Sequence, residues 1–566
     1  MADKRYTIGL DYGSNSVRCV VVDIGTGREC GTSVMEYPSG DAGVLTDPGN
    51  PHVARQSPHD FILGLERTVP EALAQTRESE SEFDVDRVIG IGVDTTGSTP
   101  IPVDENLYPL AMKTDFKGNL NAQAWMWKDH SSMEEAAVIT RLAGEHRPHY
   151  LAKCGGTYSS EWFFSKIWHC LNIDREVFDA AYAWIEFADF IPALLCGITR
   201  PESVRFSVCA AGHKAMYSEE WGGLPDEEFL AMLDPAIAQR RGRLCQQAHT
   251  ADEPAGTLAA AVAEKLGLPA GITVSVGAFD AHLGAVGAGV REGHMVKVLG
   301  TSTCDLMVAP STKELPDIPG VCGIVNGSVI SGAYGIEAGQ SAVGDIFNWF
   351  VSHVCGGDGD MHERLSREAA ALVPGESGLL ALDWNNGNRT ILVDPALSGM
   401  MVGWTLHTTQ AEMYRALIEA TAFGARKIME RVQEYGVPIR EVINCGGIAE
   451  KNPLLMQIYA DVLNRRMVVS ASPQTCALGS ALVAAVAAGP GAGGYSSIEE
   501  AQARMCSFKE TVYEPDPAAR EPYDELYGLY SRLHDSFGVQ GIRFDHSAVM
   551  KELLDISRRA KQRQTA

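Results

Sequence analysis

The chain has 566 residues, of which 45% are hydrophobic and 21% charged, and this composition is ordinary for a globular protein. Its length exceeds the size at which one hydrophobic core stops growing, so two or more domains are expected. The net charge of −25 argues against non-specific binding to nucleic acid or to an anionic membrane surface, because both need a positively charged footprint.

The 13 cysteines are odd in number and scattered, with neither C-x-x-C pairs nor Cys/His pairs at zinc spacing. This pattern favours reduced thiols over a disulfide framework. The first ten residues lack the apolar centre of a signal peptide, and no uncharged apolar run reaches the ~20 residues that a membrane helix needs. We therefore expect a cytoplasmic protein with no membrane partner and no nucleic-acid partner.

The N-terminal region begins with a predicted β-hairpin. Apolar runs at residues 7–10 and 17–22 flank a polar turn of Gly, Ser and Asn at residues 11–16. Turns of this kind expose N–H groups and hydroxyls that can hold phosphate oxygens. Residues 32–58 follow, and their Gly, Pro and Asp content predicts a loop.

A helix and a strand are predicted next. Residues 59–78 have apolar side chains at helical spacing, with Pro70 as the position where the helix would kink or split. Residues 88–93 form an apolar strand that ends in a polar, small-residue tip at residues 94–100. Open α/β sheets bind ligands at such strand ends, although an ordinary Asp-rich turn is the alternative.

Two stretches in the middle of the chain contain side chains that could belong to a functional site. Residues 125–130 place two tryptophans beside Lys128, Asp129 and His130, which indicates either an amphipathic surface rich in hydrogen-bonding groups or a helix N-terminus with buried aromatic rings. Residues 162–171 predict a helix. Lys214 follows a run of small residues and could reach into a cleft, although most lone lysines are solvated.

Residues 273–309 predict a strand, a carboxylate and a second hairpin. The strand at residues 273–277 leads to Asp280 and a Gly-rich segment, and strands at residues 295–299 and 304–309 flank a Gly-Thr-Ser-Thr turn. A polar strand end with an ordinary hairpin is one interpretation. The repetition of the first hairpin after about 290 residues favours two domains of related build, with Asp280 as a base near a phosphate-binding turn.

The C-terminal region predicts a helix at residues 412–435 and a strand from residue 442 that runs into Gly446-Gly447. Asn452 and Pro453 supply an N-cap and a first-turn proline for a helix at residues 454–464. A flat ring could lie against the bare backbone of the two glycines, although a tight βα turn is the alternative. A helix of small residues starts at residue 476.

The end of the chain predicts one more helix and a tail. One helical face is expected to dock on the core: Tyr523, Leu526, Tyr527, Tyr530, Leu533 and Phe537. The polar, basic residues 558–566 are expected to be frayed. Neither a P-loop nor the protein-kinase motifs are present, so a nucleotide would have to be held by a hairpin-based cradle.

Together these stretches resemble the FGGY carbohydrate kinases, which belong to the sugar kinase, Hsp70 and actin superfamily. The similarity runs over essentially the whole chain. The stretches that carry it are GVDTTGSTPIP (92–102), WKDH (127–130), YSSEW (158–162), AGHK (211–214), WGGLP (221–225), GAFDAHLGAVGAG (277–289), KVLGTSTCD (297–305) and EAGQSAVGD (337–345).

The resemblance implies an α/β fold of two RNase H-like domains with an interdomain active-site cleft. The first domain, residues 1–290, would bind the sugar and carry the catalytic base. The second, residues 291–545, would bind ATP, and residues 546–566 would be a C-terminal tail.

The resemblance also implies the site residues. Asp280 would be the catalytic base, and Asp11 would hold Mg²⁺ through water. The expected sugar contacts are Gly97, Lys214, Asp280 and Glu337. The expected ATP contacts are Gly13, Ser14, Gly300, Thr301, Ser302, Gly446, Gly447 and Asn452.

The sugar-side motifs imply ATP-dependent phosphorylation of L-ribulose at its terminal C5 hydroxyl, giving L-ribulose 5-phosphate in L-arabinose catabolism. Other FGGY substrates, namely D-ribulose, xylulose, glycerol or another polyol, are the first alternative. A non-catalytic nucleotide switch of the actin or Hsp70 type is the second, and it would not need a base at Asp280. The oligomeric state is left open, with a homodimer as one option.

Overall fold

The computed structural model describes residues 4–565 and contains two main β-sheets, one from each half of the chain. The strands of the N-terminal half are β1 (Tyr6–Tyr12), β2 (Ser16–Asp23), β3 (Arg28–Glu36), β4 (Leu45–Asp47), β5 (Asn50–Gln56), β6 (Val88–Thr95), β7 (Pro100–Val103), β8 (Ala124–Trp125), β9 (Ala183–Glu186), β10 (Phe206–Ser207), β11 (Ala248–His249), β12 (Pro254–Thr257), β13 (Thr273–Ser275) and β14 (Ala278–Phe279). The strands of the C-terminal half are β15 (His294–Leu299), β16 (Thr303–Pro310), β17 (Gly323–Asn326), β18 (Ala333–Ala338), β19 (Leu380–Leu382), β20 (Met400–Val402), β21 (Glu441–Cys445), β22 (Arg466–Ser470) and β23 (Phe508–Tyr513).

The two main sheets share one design. The first has the order β3-β2-β1-β6-β13-β12, and the second contains the corresponding order β18-β16-β15-β21-β22-β23, with β17 added at its edge. In both sheets a hairpin and a third antiparallel strand are followed by two parallel pairings and a closing antiparallel strand. This duplication confirms the predicted α/β fold, and both hairpins lie where the sequence predicts them.

Helices connect and cover these sheets. In the N-terminal half they are α1 (Pro58–Ser79), α2 (Met133–His146), α3 (Pro148–Ala152), α4 (Phe163–Ile173), α5 (Arg175–Ala180), α6 (Phe187–Leu195), α7 (Val208–Lys214), α8 (Glu227–Leu233), α9 (Pro235–Ala238), α10 (Ala260–Leu266) and α11 (Asp280–Gly287). In the C-terminal half they are α12 (Gly344–Trp349), α13 (Gly359–Ala370), α14 (Gln410–Glu434), α15 (Gly447–Lys451), α16 (Pro453–Leu463), α17 (Thr475–Ala488), α18 (Ile498–Met505), α19 (Pro517–Gly538) and α20 (Val549–Thr565). Among the described residues, no helix is long and apolar enough to cross a membrane.

Helix α17 packs across the two halves. It lies against β1, β6 and α11 of the N-terminal half, although it comes late in the chain. A Cβ on Gly92 of β6 would stand 1.9 Å from the Ser480 carbonyl oxygen, so only glycine permits this close approach. The predicted domain boundary at residue 290 therefore stays a prediction, because packing does not divide the chain as cleanly as the two sheets do.

Three predictions about the fold are wrong. Residues 32–58 are not a loop, because β3 pairs with β2, and β4 pairs with β5. Their Gly, Pro and Asp content is overridden by this strand pairing. Phe537 is not in the core but 58% exposed, because it lies in the last turn of α19, beyond the buried part of that helix.

The third wrong prediction concerns the C-terminal tail, which is helical rather than frayed. Leu553, Ile556 and Ala560 form a buried face of α20. Arg559 Nη1 donates to Glu525 Oε1 of α19 at 3.0 Å. Apolar side chains at helical spacing thus dock a segment that is mostly polar in composition. The last residue, 566, lies outside the described residues.

In contrast, α1 forms as predicted and Pro70 lies inside it without ending it.

Candidate active site

Three carboxylates meet at the carboxyl edge of the first sheet. Asp11 of β1 is the register partner of Asp94 on the parallel strand β6. The short strand β14 pairs with β6 at Asp94 and ends at Phe279, and Asp280 follows as the first residue of α11. Parallel strands end at the same edge of a sheet, and ligands of α/β proteins bind there.

The pKa of the Asp280 carboxyl lies near neutral pH, which suits proton transfer. Burial raises its pKa to about 7, with a further contribution from the negative charge of Asp11. The backbone N–H of Ala281, which donates to Asp280 Oδ1 at 2.6 Å, acts in the opposite direction. A carboxylate with a pKa in this range can take up a proton and release it again at the working pH of an enzyme.

Asp94 is a functional candidate that the sequence prediction missed. Burial raises the pKa of its carboxyl well above the usual range, and the neighbouring Asp11 raises it further. Ser480 of α17 donates to Asp94 Oδ2 at 2.6 Å, whereas the buried Oδ1 has no hydrogen-bond partner. Asp94 is the first residue of the polar stretch 94–100 that the sequence indicates as a binding region, but only the β1–β6 register shows that Asp94 and Asp11 are neighbours.

This pair of aspartates fits a magnesium ion. Ligand atoms of Asp11, Asp94 and Cys476 lie within 4.8 Å of one another. Mg²⁺ prefers oxygen ligands, keeps several waters and is held by one or two carboxylates together with substrate phosphates. Asp11 and Asp94 offer such oxygens, one of them unpaired and buried. The Cys476 thiol is a poor ligand for this ion.

The expected sugar contacts Lys214 and Glu337 form a buried ion pair. Lys214 ends α7 and Glu337 lies in β18, so the pair links the two halves of the chain. Lys214 Nζ lies 3.2 Å from each carboxylate oxygen of Glu337. Burial alone would raise the pKa of the Glu337 carboxyl, but Lys214 and two histidines, His213 and His282, outweigh it and hold the pKa well below its usual range.

The two histidines surround the same carboxylate. His213 Nδ1 lies 3.3 Å from Glu337 Oε2, and His282 Nε2 lies 3.7 Å from it. Burial lowers the pKa of both imidazoles, that of His282 to about 4. Both rings are therefore neutral near pH 7, and the charge of Glu337 is balanced by Lys214. The sequence did not predict a role for either histidine, although His213 lies in the AGHK stretch and His282 in the Gly-rich segment.

Gly97 lies beside these residues. A Cβ at this position would stand 1.7 Å from Cε1 of the Phe279 ring, so a side chain cannot be accommodated. Lys214 Nζ lies 5.7 Å from the centroid of the same ring and 5.5 Å from the centroid of Trp162. Phe279 precedes Asp280. The structure therefore brings Gly97, Lys214, Asp280 and Glu337 together, and their role as sugar contacts stays a prediction.

The first hairpin turn carries Gly13 and Ser14. Gly13 N–H donates to the Ser16 carbonyl at 2.9 Å and closes the turn between β1 and β2. Ser14 is held on both sides, because Trp127 Nε1 donates to its hydroxyl at 2.9 Å and Gln56 Nε2 donates to its carbonyl at 2.9 Å. The WKDH stretch therefore acts on the first hairpin, and the alternative of a helix N-terminus does not apply, since α2 begins only at Met133.

A cavity of about 1030 Å³ lies beside the second hairpin. Four of the expected ATP contacts line it: Gly300, Thr301, Gly447 and Asn452. Asn452 also caps α16, as predicted, by accepting the Leu455 N–H at 3.0 Å. Residues that the sequence did not single out individually complete the wall, among them Asp345, Asn348, Tyr414 and Lys451.

The other four expected ATP contacts are not in this wall: Gly13 and Ser14 in the first hairpin, and Ser302 and Gly446 beside the cavity. Ser302 carries the carbonyl that accepts the Gly300 N–H at 3.0 Å, which closes the second hairpin turn. Gly446 has a φ of 94°, and a Cβ there would meet the Leu299 carbonyl oxygen at 2.4 Å. Gly446 therefore lets β21 turn sharply beside β15, and it is Gly447 that faces the cavity.

Comparison with known protein families gives two matches. The model of the N-terminal domain of the FGGY family of carbohydrate kinases matches residues 6–287, and the model of its C-terminal domain matches residues 295–488. Together they cover most of the chain.

Individual relatives match over the full length. A ribulokinase from Shouchella clausii is 43% identical over 573 residues, which cover 99% of this chain and 99% of the relative. A ribulokinase from Mycolicibacterium smegmatis is 39% identical over 580 residues, covering 99% of this chain and 98% of the relative. Among solved structures, a xylulose kinase from Rhodospirillum rubrum has a TM-score of 0.76 at 23% identity, covering 94% of this chain and 99% of that one, and this shows the same fold.

Proposed function

This chain belongs to the FGGY family of carbohydrate kinases and is an ATP-dependent sugar kinase, and we propose that its substrate is L-ribulose. The γ-phosphoryl group of ATP is transferred to the terminal C5 hydroxyl, giving ADP and L-ribulose 5-phosphate in L-arabinose catabolism. The observation that carries this proposal is the 43% identity with a ribulokinase over 99% of both chains. The joined cluster of Lys214, Glu337, Asp280 and Gly97 supports it.

In the proposed mechanism Asp280 acts as the general base. Its pKa of about 7 leaves a large ionised fraction at neutral pH, and it accepts the proton of the C5 hydroxyl as that oxygen attacks phosphorus. Lys214 and Glu337 exchange part of their mutual pairing for hydrogen bonds to sugar hydroxyls and orient the sugar. Phosphoryl transfer depends on such positioning and on charge neutralisation more than on covalent help.

The nucleotide is held by the two hairpins and the large cavity. Gly300 and Thr301 would bind phosphate oxygens, and Gly447 and Asn452 would lie beside the adenosine. Gly13 and Ser14 would face the phosphoryl group in transfer. When Mg²⁺ is bound at Asp11 and Asp94 with ATP, it supplies positive charge to the phosphates. The 13 cysteines are all free thiols, which supports a cytoplasmic setting for the enzyme.

A coupled assay of ADP release over a panel of sugars tests this function. The panel contains L-ribulose, D-ribulose, both xyluloses, glycerol and ribitol, and NMR of the product identifies the phosphorylated oxygen. We expect the highest kcat/KM for L-ribulose and phosphorylation at O5. A preference for xylulose or glycerol would overturn the substrate assignment, and ATP turnover that does not depend on sugar would favour a nucleotide switch.

A further inference from the structure

Lys166 of α4 carries a fully buried ammonium that the proposed mechanism does not use. Its Nζ donates to the carbonyl oxygens of Ser98 at 2.8 Å, Met126 at 2.8 Å and Trp125 at 3.3 Å. A lysine ammonium has three donors and no acceptor, so these three bonds use its full capacity. Burying a charge is costly, and an apolar side chain of similar size would cost less if packing were the only purpose.

The three acceptors lie in two segments: Ser98 in the loop that follows β6, and Trp125 and Met126 at the end of β8 and in the loop after it. Ser98 follows Gly97, the expected sugar contact that lies against Phe279. Met126 precedes Trp127, whose indole N–H donates to the Ser14 hydroxyl in the first hairpin. One ammonium therefore ties the loop beside the sugar to the loop that orients the phosphate-facing hairpin.

Each of the two segments is also held by a carboxylate of its own, whereas the Lys166 ammonium bonds to both segments. Glu186 accepts hydrogen bonds from the Ser98 hydroxyl and from the Thr99 N–H, the latter at 2.8 Å. Asp129 accepts the Ala54 N–H at 2.7 Å and pairs with the buried Arg55. These supports hold each loop in its own place. The first hairpin is also fixed to the loop after β6, because the Thr96 N–H donates to the Tyr12 carbonyl at 3.0 Å. Lys166 adds direct bonds between the loop after β6 and the segment that leads to Trp127.

We propose that Lys166 is a positioning residue that fixes the distance between the sugar hydroxyl and the phosphoryl group. This inference rests on the proposed kinase function and deepens it. The three bonds help to fix the position of Gly97 relative to Ser14, so that the attacking oxygen of the sugar and the γ-phosphorus of ATP meet in line. A misplacement of about 1 Å at such a site costs on the order of 100-fold in rate.

The loss of the Lys166 proton at high pH provides a second way to test the proposal. Burial lowers the pKa of its ammonium to about 8, and the loss of one proton leaves the nitrogen with only two donors. The charged groups that act on it are Asp129, Glu186, Glu161 and Arg55. Turnover should therefore fall as pH rises through about 8, since the protonated form is the one that holds all three carbonyls.

The test compares Lys166→Met and Lys166→Ala with the wild type, using the sugar that the wild type phosphorylates best. A wrong substrate assignment therefore leaves this test intact, because it is detected separately in the sugar panel. We expect kcat to fall about 100-fold in Lys166→Met, with a smaller change in the KM for ATP. The loss of rate above about pH 8 should be absent from the remaining activity.

Two further measurements separate positioning from folding. Propylammonium, which replaces the atoms that Lys166→Ala lacks, should restore part of its kcat in a saturable manner, whereas a neutral alcohol of similar size should not. Lys265→Met, which removes an exposed lysine paired with Glu66, serves as the control for loss of charge and should keep wild-type turnover. Wild-type kcat in Lys166→Met would overturn the proposal. So would a loss of activity that follows the fraction of unfolded protein and shows no rescue.

Discussion

Lys214 and Glu337 form an ion pair between the two halves of the chain, with Lys214 Nζ 3.2 Å from each oxygen of the Glu337 carboxylate. One partner ends α7 in the N-terminal half, and the other lies in β18 of the C-terminal half. A sugar that bonds to both residues therefore contacts both halves at once. The proposed sugar site is complete only when the two halves are together.

The first prediction concerns Lys214→Ala. The variant loses a charged hydrogen-bond donor, which is worth about 1.5–3 kcal/mol, or roughly 10- to 150-fold in affinity. We expect the KM for the sugar to rise by that factor while the KM for ATP changes little. Steady-state kinetics with each substrate varied in turn measures this difference. Lys265→Ala is the matched control, and equal changes in both KM values would place Lys214 outside the sugar site.

The second prediction concerns Asp280→Asn. An amide cannot accept the hydroxyl proton, so phosphosugar formation should fall by about 10²–10⁴-fold while the protein stays folded and binds ATP. Turnover and nucleotide binding are measured on the same preparation. Near-normal turnover of the variant would remove Asp280 from the role of base.

The pH profile gives an independent check on the same carboxyl. Burial raises its pKa to about 7, so below that pH the folded enzyme carries the protonated form, which cannot act as a base. The rate should therefore fall with decreasing pH, by about tenfold per pH unit well below the pKa. A rate that stays level down to about pH 5 would contradict an assignment of Asp280 as a base with this pKa.

These predictions use residues that the sequence already indicates, and there is a physical reason why such residues can be found from the sequence. Hairpin turns, an N-cap such as Asn452 and a carboxylate after a strand are local features, and local features leave a pattern in the sequence. The duplicated order of the two sheets follows from the repeated hairpin in the same way. The predicted fold therefore agrees with the structure. The four sugar-side residues lie close together, and their role in sugar binding stays a prediction.

Features that depend on distant pairing were not predictable from the sequence. The neighbour relationship of Asp11 and Asp94 exists only through the β1–β6 register. The three carbonyls that bind Lys166 come from two separate segments of the chain, and no spacing in the sequence connects them. The helical tail was missed because a few apolar residues among many charges dock it on α19.

The third prediction concerns Asp11→Asn. The negative charge of Asp11 contributes to the raised pKa of Asp280, so its removal should lower that pKa and shift the acid limb of the rate profile to lower pH. The Mg²⁺ concentration for half-maximal activity should also rise, because a carboxylate oxygen is lost. A Mg²⁺ titration and a pH profile measure the two effects. Asp104→Asn, which removes a carboxylate paired with Lys113, is the control and should alter neither.

The fourth prediction compares two adjacent glycines, of which Gly447 lines the cavity beside the second hairpin and Gly446 does not. A Cβ on Gly447 meets no atom within 4 Å, and Gly447 lines the cavity, so Gly447→Val should raise the KM for ATP and leave the melting temperature unchanged. Gly446→Val requires a positive φ and brings its Cβ to 2.4 Å from the Leu299 carbonyl oxygen. It should cost on the order of 1–3 kcal/mol in the free energy of unfolding. If Gly447→Val binds ATP normally, the nucleotide does not lie against this glycine.

The last prediction concerns the second hairpin, which contains a buried ion pair between register partners. Lys297 Nζ lies 2.6 and 2.7 Å from the two carboxylate oxygens of Asp305, and both side chains are fully buried. Asp305→Ala leaves an ammonium without its carboxylate in the interior, and the expected loss in the free energy of unfolding is about 3–5 kcal/mol. The double variant Lys297→Met/Asp305→Leu removes both charges and keeps similar volume, so it should recover most of that loss. Chemical denaturation of the three proteins measures the difference. A double variant that is less stable than Asp305→Ala would mean that the pair itself, rather than the absence of an unpaired charge, stabilises the hairpin.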